Sequence, residues 1–137
     1  MPKKRVLLVD DNPLVRSLVR QVFELHPDFE ISGEAENGRE AVEQAENLKP
    51  ELIILDLAMP VMTGLDAAPL LRKVVPDARI ILFTVQEGRE VERLARAAGI
   101  HAVVAKSQAA SKLILRAQAL LRSEQEHPAA KLSTAAG

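Results

Sequence analysis

Asp10, Asp11, Asp56, Thr84 and Lys106 each follow directly on a short apolar run. Val6-Leu7-Leu8-Val9 leads into Asp10-Asp11, Leu52-Ile53-Ile54-Leu55 into Asp56, Ile80-Ile81-Leu82-Phe83 into Thr84, and Ala102-Val103-Val104-Ala105 into Lys106. If the runs are strands of one open parallel sheet, their C-terminal ends share a rim, the place where such sheets bind ligands. Three carboxylates, a hydroxyl and an ammonium then meet there. Two carboxylates ~4 Å apart repel by about 4 kcal/mol at an effective dielectric near 20, so the cluster calls for a cation or a proton. An all-oxygen ligand set selects a hard ion, Mg²⁺ or Mn²⁺. Asp11 is expected to ligate directly, Asp10 to act mostly through water and Asp56 to add another oxygen. A carboxylate is also a nucleophile toward phosphorus, forming an acyl phosphate. Phosphoryl transfer mainly needs positioning and neutralisation of the equatorial oxygens. The cation, Lys106 and Thr84 can take one oxygen each. Asp56, at the end of the central strand, is then the nucleophile.

These runs alternate with helix-period segments. Asn12 and Pro13 suit the start of a first helix carrying Leu14, Val15, Leu18, Val19, Val22 and Phe23. Phe29, Ile31, Gly33 and Ala35 alternate with Glu30, Ser32 and Glu34, which predicts a half-exposed edge strand. The four unbroken apolar runs predict strands covered on both faces. Asn37 caps a second helix with Ala41, Val42, Ala45 and Leu48, ended by Lys49-Pro50. A third starts near Thr63-Gly64 with Leu65, Ala68, Leu71, Val74 and Val75 inward; Pro69 inside it predicts a kink or a late start. A fourth runs from about Gly88 to Ala98, with Val91, Leu94, Ala95 and Ala98 inward and Gly99 as its cap. Ser107 is the expected cap of a fifth, with Leu113, Ile114, Ala117, Leu120 and Leu121 as its apolar stripe. Five strands alternating with five helices imply an α/β fold: a doubly wound parallel sheet of order 2-1-3-4-5, flavodoxin-like, with helices on both faces. Residues 1–122 form the domain, and 123–137, without periodicity, read as a disordered tail.

The chain has 137 residues, room for one domain, and 47% apolar residues. Net charge is −1, with 18 basic and 19 acidic residues and no basic stripe, which argues against direct binding of nucleic acid. Three Phe and no Trp or Tyr argue against a base-stacking or carbohydrate site. There is no cysteine, hence no disulfide framework and no thiolate zinc site. No apolar run approaches the ~20 residues of a membrane span, and the expected location is the cytoplasm. Asp28, Asp66 and Asp77 read as surface or capping residues; His26, His101 and His127 share no ligand spacing.

With Val-Asp-Asp-Asn at 9–12, Leu-Asp-Leu-Ala-Met-Pro-Val-Met-Thr-Gly-Leu at 55–65, Thr84 and Lys106, the chain resembles the receiver domain of two-component response regulators over about residues 4–122. The resemblance implies that Asp56 accepts a phosphoryl group from a histidine kinase or histidine phosphotransfer protein. It implies that Asp10 and Asp11 are the acidic pair, and that the Ala58 backbone carbonyl adds a Mg²⁺ ligand. Thr84 and Lys106 match the switch hydroxyl and the phosphate-binding lysine, and Pro60 and Gly64 the shaped loop after the phosphoacceptor. Output would pass through helix 4, strand 5 and helix 5 to a downstream protein or a second copy. Beyond its own phosphorylation and slow self-dephosphorylation, on which Ala58 and Gln86 would act, no enzyme activity is implied. Two positions depart from the pattern. Val103 stands where receivers usually carry Tyr or Phe, so a smaller packing change must serve as signal. Ser107 follows the lysine where proline is usual, which makes a cis bond there unexpected. Lys-Ser is similar to receivers of regulators with a C-terminal helix-turn-helix, so the chain reads as a stand-alone receiver or one cut from a longer ancestor.

Three other readings compete. A degenerate docking module would have lost one of the charged residues, and none is lost. An aspartate-nucleophile phosphatase of the haloacid dehalogenase type needs Asp-x-Asp after its first strand, where this chain has Asp10-Asp11-Asn12. Flavin or nucleotide binding needs a glycine-rich phosphate loop, and none follows any strand.

Overall fold

The structure, a computed structural model, describes residues 2–122. The tail expected at 123–137, with His127, lies outside the described residues. In chain order the elements are β1 Lys4–Val9, α1 Pro13–Glu24, β2 Phe29–Ala35, α2 Gly38–Leu48, β3 Leu52–Leu55, α3 Gly64–Val74, β4 Arg79–Thr84, α4 Arg89–Ala97 and β5 Ala102–Ala105. A fifth helix, α5, covers 111–122. The strands are parallel in the order β2-β1-β3-β4-β5. No helix among the described residues is long and apolar enough to cross a membrane.

Side chains alternate along each strand, so an unbroken apolar run feeds two cores. Leu7, Val9, Ile53, Leu55, Ile80 and Leu82 join Ala41, Ala67 and Leu71 on one face of the sheet. Val6, Leu8, Leu52, Ile54, Ile81 and Phe83 join Val19, Phe23, Leu113 and Ala117 on the other. Asn12 and Asn37 cap α1 and α2 as expected, accepting from Leu14 N–H (2.9 Å) and Glu40 N–H (2.9 Å). Thr63 caps α3 by accepting from Asp66 N–H at 3.2 Å. At the end of α4, Gly99 (φ +90°) donates to the Arg96 carbonyl and Ile100 to that of Ala95, the paired bonds of a left-handed glycine cap.

Several expectations fail for local reasons. In α1 only Val19 and Phe23 are buried, while Leu14 and Leu18 are 79% and 52% exposed, because the face that meets the sheet is narrower than the apolar arc. The β1–β2 register shifts between Val6 and Leu7; Ser32 is the extra residue, and its hydroxyl donates to the Val6 carbonyl at 3.2 Å. The bulge turns the strand over, so Phe29 and Ile31 join one core and Ala35 the other. Of the two outcomes expected for Pro69, the late start is absent: α3 starts at Gly64 and continues past the proline. In α4 Leu94 is exposed and only Val91 and Ala95 are buried. β5 is an edge strand with Val103 and Ala105 half-buried, not covered on both faces. Ser107 does not cap α5, which begins four residues later; its hydroxyl donates to Glu87 Oε2 at 3.2 Å. The Lys106–Ser107 peptide is trans.

Candidate functional site

The sheet ladders run on past the strand ends and fix the acidic residues. Asp10 N–H donates to the Ala35 carbonyl at 3.1 Å, and Asp56 N–H to that of Val9 at 2.9 Å. One carboxylate oxygen each from Asp10, Asp11 and Asp56 lies within 4.8 Å of the other two, an arrangement able to hold a metal ion. Asp10 and Asp56 are buried and Asp11 is exposed, so the cluster opens to solvent on the Asp11 side. Lys106 Nζ lies 2.9 Å from Asp10 Oδ2 and 3.2 Å from Asp56 Oδ1. One ammonium thus bridges the two buried carboxylates. Its position is set by Lys106 N–H, which donates to the Thr84 carbonyl at 2.7 Å.

Burial first, then the neighbouring Asp10 carboxylate, push the Asp56 carboxyl above the usual aspartate range; Lys106 and the Leu57 N–H pull it back only in part. For Lys106, burial works against the charge, but hydrogen bonds and attraction from Asp10 and Asp56 outweigh it and raise its pKa. The ammonium stays charged while the cluster keeps an excess of negative charge. Such a site suits a divalent cation and, above it, an anionic group.

Thr84 is buried at the next strand end, and its hydroxyl accepts from Gln86 N–H at 3.2 Å. Ala58 is exposed two residues beyond Asp56. Asp28, Asp66 and Asp77 lie on the surface. His26 meets Gln118 (3.0 Å), and His101 accepts from Ile80 N–H (3.0 Å).

Three contributors were not read from the sequence. Asn12, besides capping α1, donates its N–H to Asp10 Oδ1 at 2.9 Å. Arg16 reaches back from α1 to the Asp10 carbonyl (2.6 Å) and pairs with Glu34 (2.9 Å), pinning the β1–α1 loop; a cation inside an apolar helical stripe was its only signal. Val61 has φ +69°, and Met62 N–H donates to the Pro60 carbonyl at 2.7 Å, closing a strained γ-turn that no propensity foretells for a β-branched residue. Gly64 closes that loop: its N–H donates to the Leu57 carbonyl (2.9 Å), and a Cβ there would collide with the Asp56 carbonyl oxygen.

The chain is thus a doubly wound α/β domain with a lysine-bridged acidic cluster at the C-terminal ends of its central strands. Residues 6–118 match the response regulator receiver domain, and the chain belongs to that family. It is 44% identical over 85 residues to the nitrate/nitrite response regulator NarL of Escherichia coli, covering 62% of this chain and 39% of that protein. It is 43% identical over 79 residues to the chemotaxis protein CheY of Thermotoga maritima, covering 58% and 65%. The chain thus spans less than two-thirds of these relatives. Among solved structures, a LuxR-family two-component response regulator from Aurantimonas sp. superposes with a TM-score of 0.84 at 30% identity, covering 89% of this chain and 87% of that one.

Proposed function

We propose that this domain is a phosphorylation switch in which Asp56 is the phosphoacceptor. The observation that carries the reading is the Lys106 bridge between Asp10 and Asp56 within a three-carboxylate cluster. In the transfer, an Asp56 carboxylate oxygen forms a bond to phosphorus as the bond from phosphorus to the donor histidine nitrogen breaks. The histidine leaves with the electron pair, and Asp56 becomes an acyl phosphate. The donor is a histidine kinase or a histidine phosphotransfer protein. Asp10, Asp11, Asp56 and the Ala58 carbonyl would hold Mg²⁺ or Mn²⁺, which supplies charge neutralisation for the phosphoryl oxygens. Lys106 exchanges its carboxylate partner for a phosphoryl oxygen. Thr84 gives up the Gln86 N–H and turns its hydroxyl toward the phosphoryl group, and the β4–α4 loop follows. The changed surface of α4, β5 and α5 then binds a downstream partner in the cytoplasm. Moving such a surface from 1:99 to 99:1 takes about 5.5 kcal/mol of differential stabilisation.

The test is labelling with acetyl phosphate and Mg²⁺, read by intact mass. One phosphate adduct is expected, abolished in Asp56→Asn and by a chelator. A folded protein that takes no adduct, or an Asp56→Asn variant that still takes one, overturns the reading.

A further inference from the structure

The two aspartates at the end of β1 are held unequally. Both carboxylate oxygens of Asp10 have a donor: Oδ1 accepts from Asn12 N–H at 2.9 Å, and Oδ2 lies 2.9 Å from Lys106 Nζ. Asp11 is exposed, and its side chain makes no hydrogen bond or ion pair among the described residues. The aim of its carboxylate at the cluster is therefore set by the backbone on either side. Asn12 N–H is one fixed point. The Asp10 carbonyl is the other, and Arg16 Nη1 donates to it at 2.6 Å. That guanidinium is 13% exposed and is gripped from β2, with Nε 2.9 Å from Glu34 Oε1 and Nη2 3.8 Å from Glu36 Oε1. Arg20 takes the other Glu34 oxygen at 2.6 Å, and Gln44 on α2 donates to the Glu34 carbonyl at 2.7 Å. Plain alternation along β2 would turn Glu34 away from α1, since Phe29 and Ile31 pack on that side with Val19 and Phe23. The extra residue at Ser32 reverses the facing, and Glu34 comes up beside Arg16 and Arg20.

We propose that Arg16 is a positioning residue for the cation site, seated by the bulged β2 through Glu34 and acting on the metal through the Asp10–Asp11 peptide. Its action on the metal rests on the cation site of the function proposed above; its hold on the loop stands on the contacts alone. Groups that keep a metal ligand in place typically change affinity by about 10–100-fold when removed. Two opposed effects fix the expected sign. A guanidinium beside the cluster repels a cation, so by Coulomb's law alone its removal should tighten Mg²⁺ binding. Its removal also frees the Asp10 carbonyl and lets the Asp11 peptide turn, which weakens binding. Glu34 and Glu36 answer the Arg16 charge and keep the first effect small, so the second should prevail. Lysine cannot replace this arginine, because one ammonium lacks the planar fork that spans a carbonyl and a carboxylate.

The test is a Mg²⁺ titration of the full chain at low and high salt, followed by the amide NMR signals of Asp10, Asp11, Asn12 and Asp56. Arg16→Gln should raise the Mg²⁺ Kd about tenfold or more, and Arg16→Lys by a smaller factor. The rise should persist at high salt, which screens the charge effect and not the loss of aim. Arg20→Gln is the control. It loosens the same Glu34 but touches no part of the β1–α1 loop, so the urea midpoint should fall while the Mg²⁺ Kd holds steady. If Arg16→Gln does not fold, Arg16→Lys carries the test. A Kd that is unchanged or lower in the folded Arg16 variants overturns the proposal. An equal rise in Arg20→Gln also overturns it, since the effect would then be one of general stability. A parent chain that binds no Mg²⁺ removes the cation site and this inference with it. Normal Mg²⁺ binding and Asp56 labelling in the parent, beside unaffected Arg16 variants, sinks this inference alone. Mg²⁺ binding that depends on Arg16 without any labelling of Asp56 sinks the switch and leaves the role of Arg16.

Discussion

On the face of the sheet that α2, α3 and α4 cover, the two ends are built to different tolerances. On the β1–β3 side, α2 and α3 have side-chain caps, and α3 buries Gly64, Ala67, Ala68 and Leu71. On the β4–β5 side, α4 begins at Gly88 with no side-chain cap and buries only Val91 and Ala95, and β5 is a half-open edge. The site straddles the border: Asp10, Asp11 and Asp56 stand on the rigid half, Thr84 and Lys106 on the loose one. A stiff half fixes where charge collects, and a loose half can respond to it. Few buried contacts and missing caps are the physical content of low local stability.

Two glycines give the sharpest contrast. Gly64→Ala would push a methyl group into the Asp56 backbone, and we expect a loss of about 3 kcal/mol or more in urea unfolding, with phosphoryl labelling abolished. Gly88→Ala meets open space but holds φ +114° and ψ 178°, a region essentially restricted to glycine. Fraying of α4 absorbs that strain, so about 1 kcal/mol or less should appear globally and labelling should persist. Equal losses at the two sites would erase the distinction. Core truncation sharpens the same contrast. Leu71→Ala, at a fully buried position, should cost about 2–5 kcal/mol, and Val91→Ala about 1–2 kcal/mol, in the same denaturation assay.

Two titrating groups test the halves separately. Burial first, then Arg72 and Arg79, lower His101 to about 4 at the start of β5. The unfolded chain therefore binds this proton more readily, and stability should fall as pH drops from 6.5 toward 4. After allowance for its partial exposure, the loss is about 1–2 kcal/mol. Urea midpoints at several pH values should show a slope that His101→Gln flattens. Asp56 has the opposite sign. Its pKa is raised in the folded state, so the ionised group weakens the fold as pH rises above the ordinary aspartate value of 3.8. At neutral pH and without metal, Asp56→Asn should raise the urea midpoint, a gain that Mg²⁺ added to the parent protein offsets. A destabilised, metal-free Asp56→Asn would contradict the excess of negative charge inferred for the cluster.

Much of the rigid half was legible in the sequence because it obeys simple periodicities. The runs Val6–Val9 and Leu52–Leu55 are apolar throughout since both faces are covered, and Asn12, Asn37 and Thr63 announce their helices. The grouping of Asp10, Asp11, Asp56 and Lys106 follows from strand ends sharing a rim. What escaped depends on tertiary partners. A bulge at Ser32 costs nothing in composition, yet it turns β2 over. β5 reads like a strand covered on both faces, yet the edge place that the expected order 2-1-3-4-5 gave it leaves Val103 and Ala105 half-buried. Ser107 has the chemistry of a cap, and its hydroxyl is taken by Glu87 across the rim. Leu14 and Leu18 fit a helical stripe that is wider than the surface it meets.

The most direct test of the account is hydrogen exchange of the backbone amides with and without beryllofluoride and Mg²⁺, the mimic of a phosphoryl group on Asp56. Exchange rates should change across residues 84–105, covering the β4–α4 loop, α4 and β5, while α2, α3 and the β1–β3 core hold steady. Changes spread evenly over both halves, or none at all with the mimic bound, would contradict it.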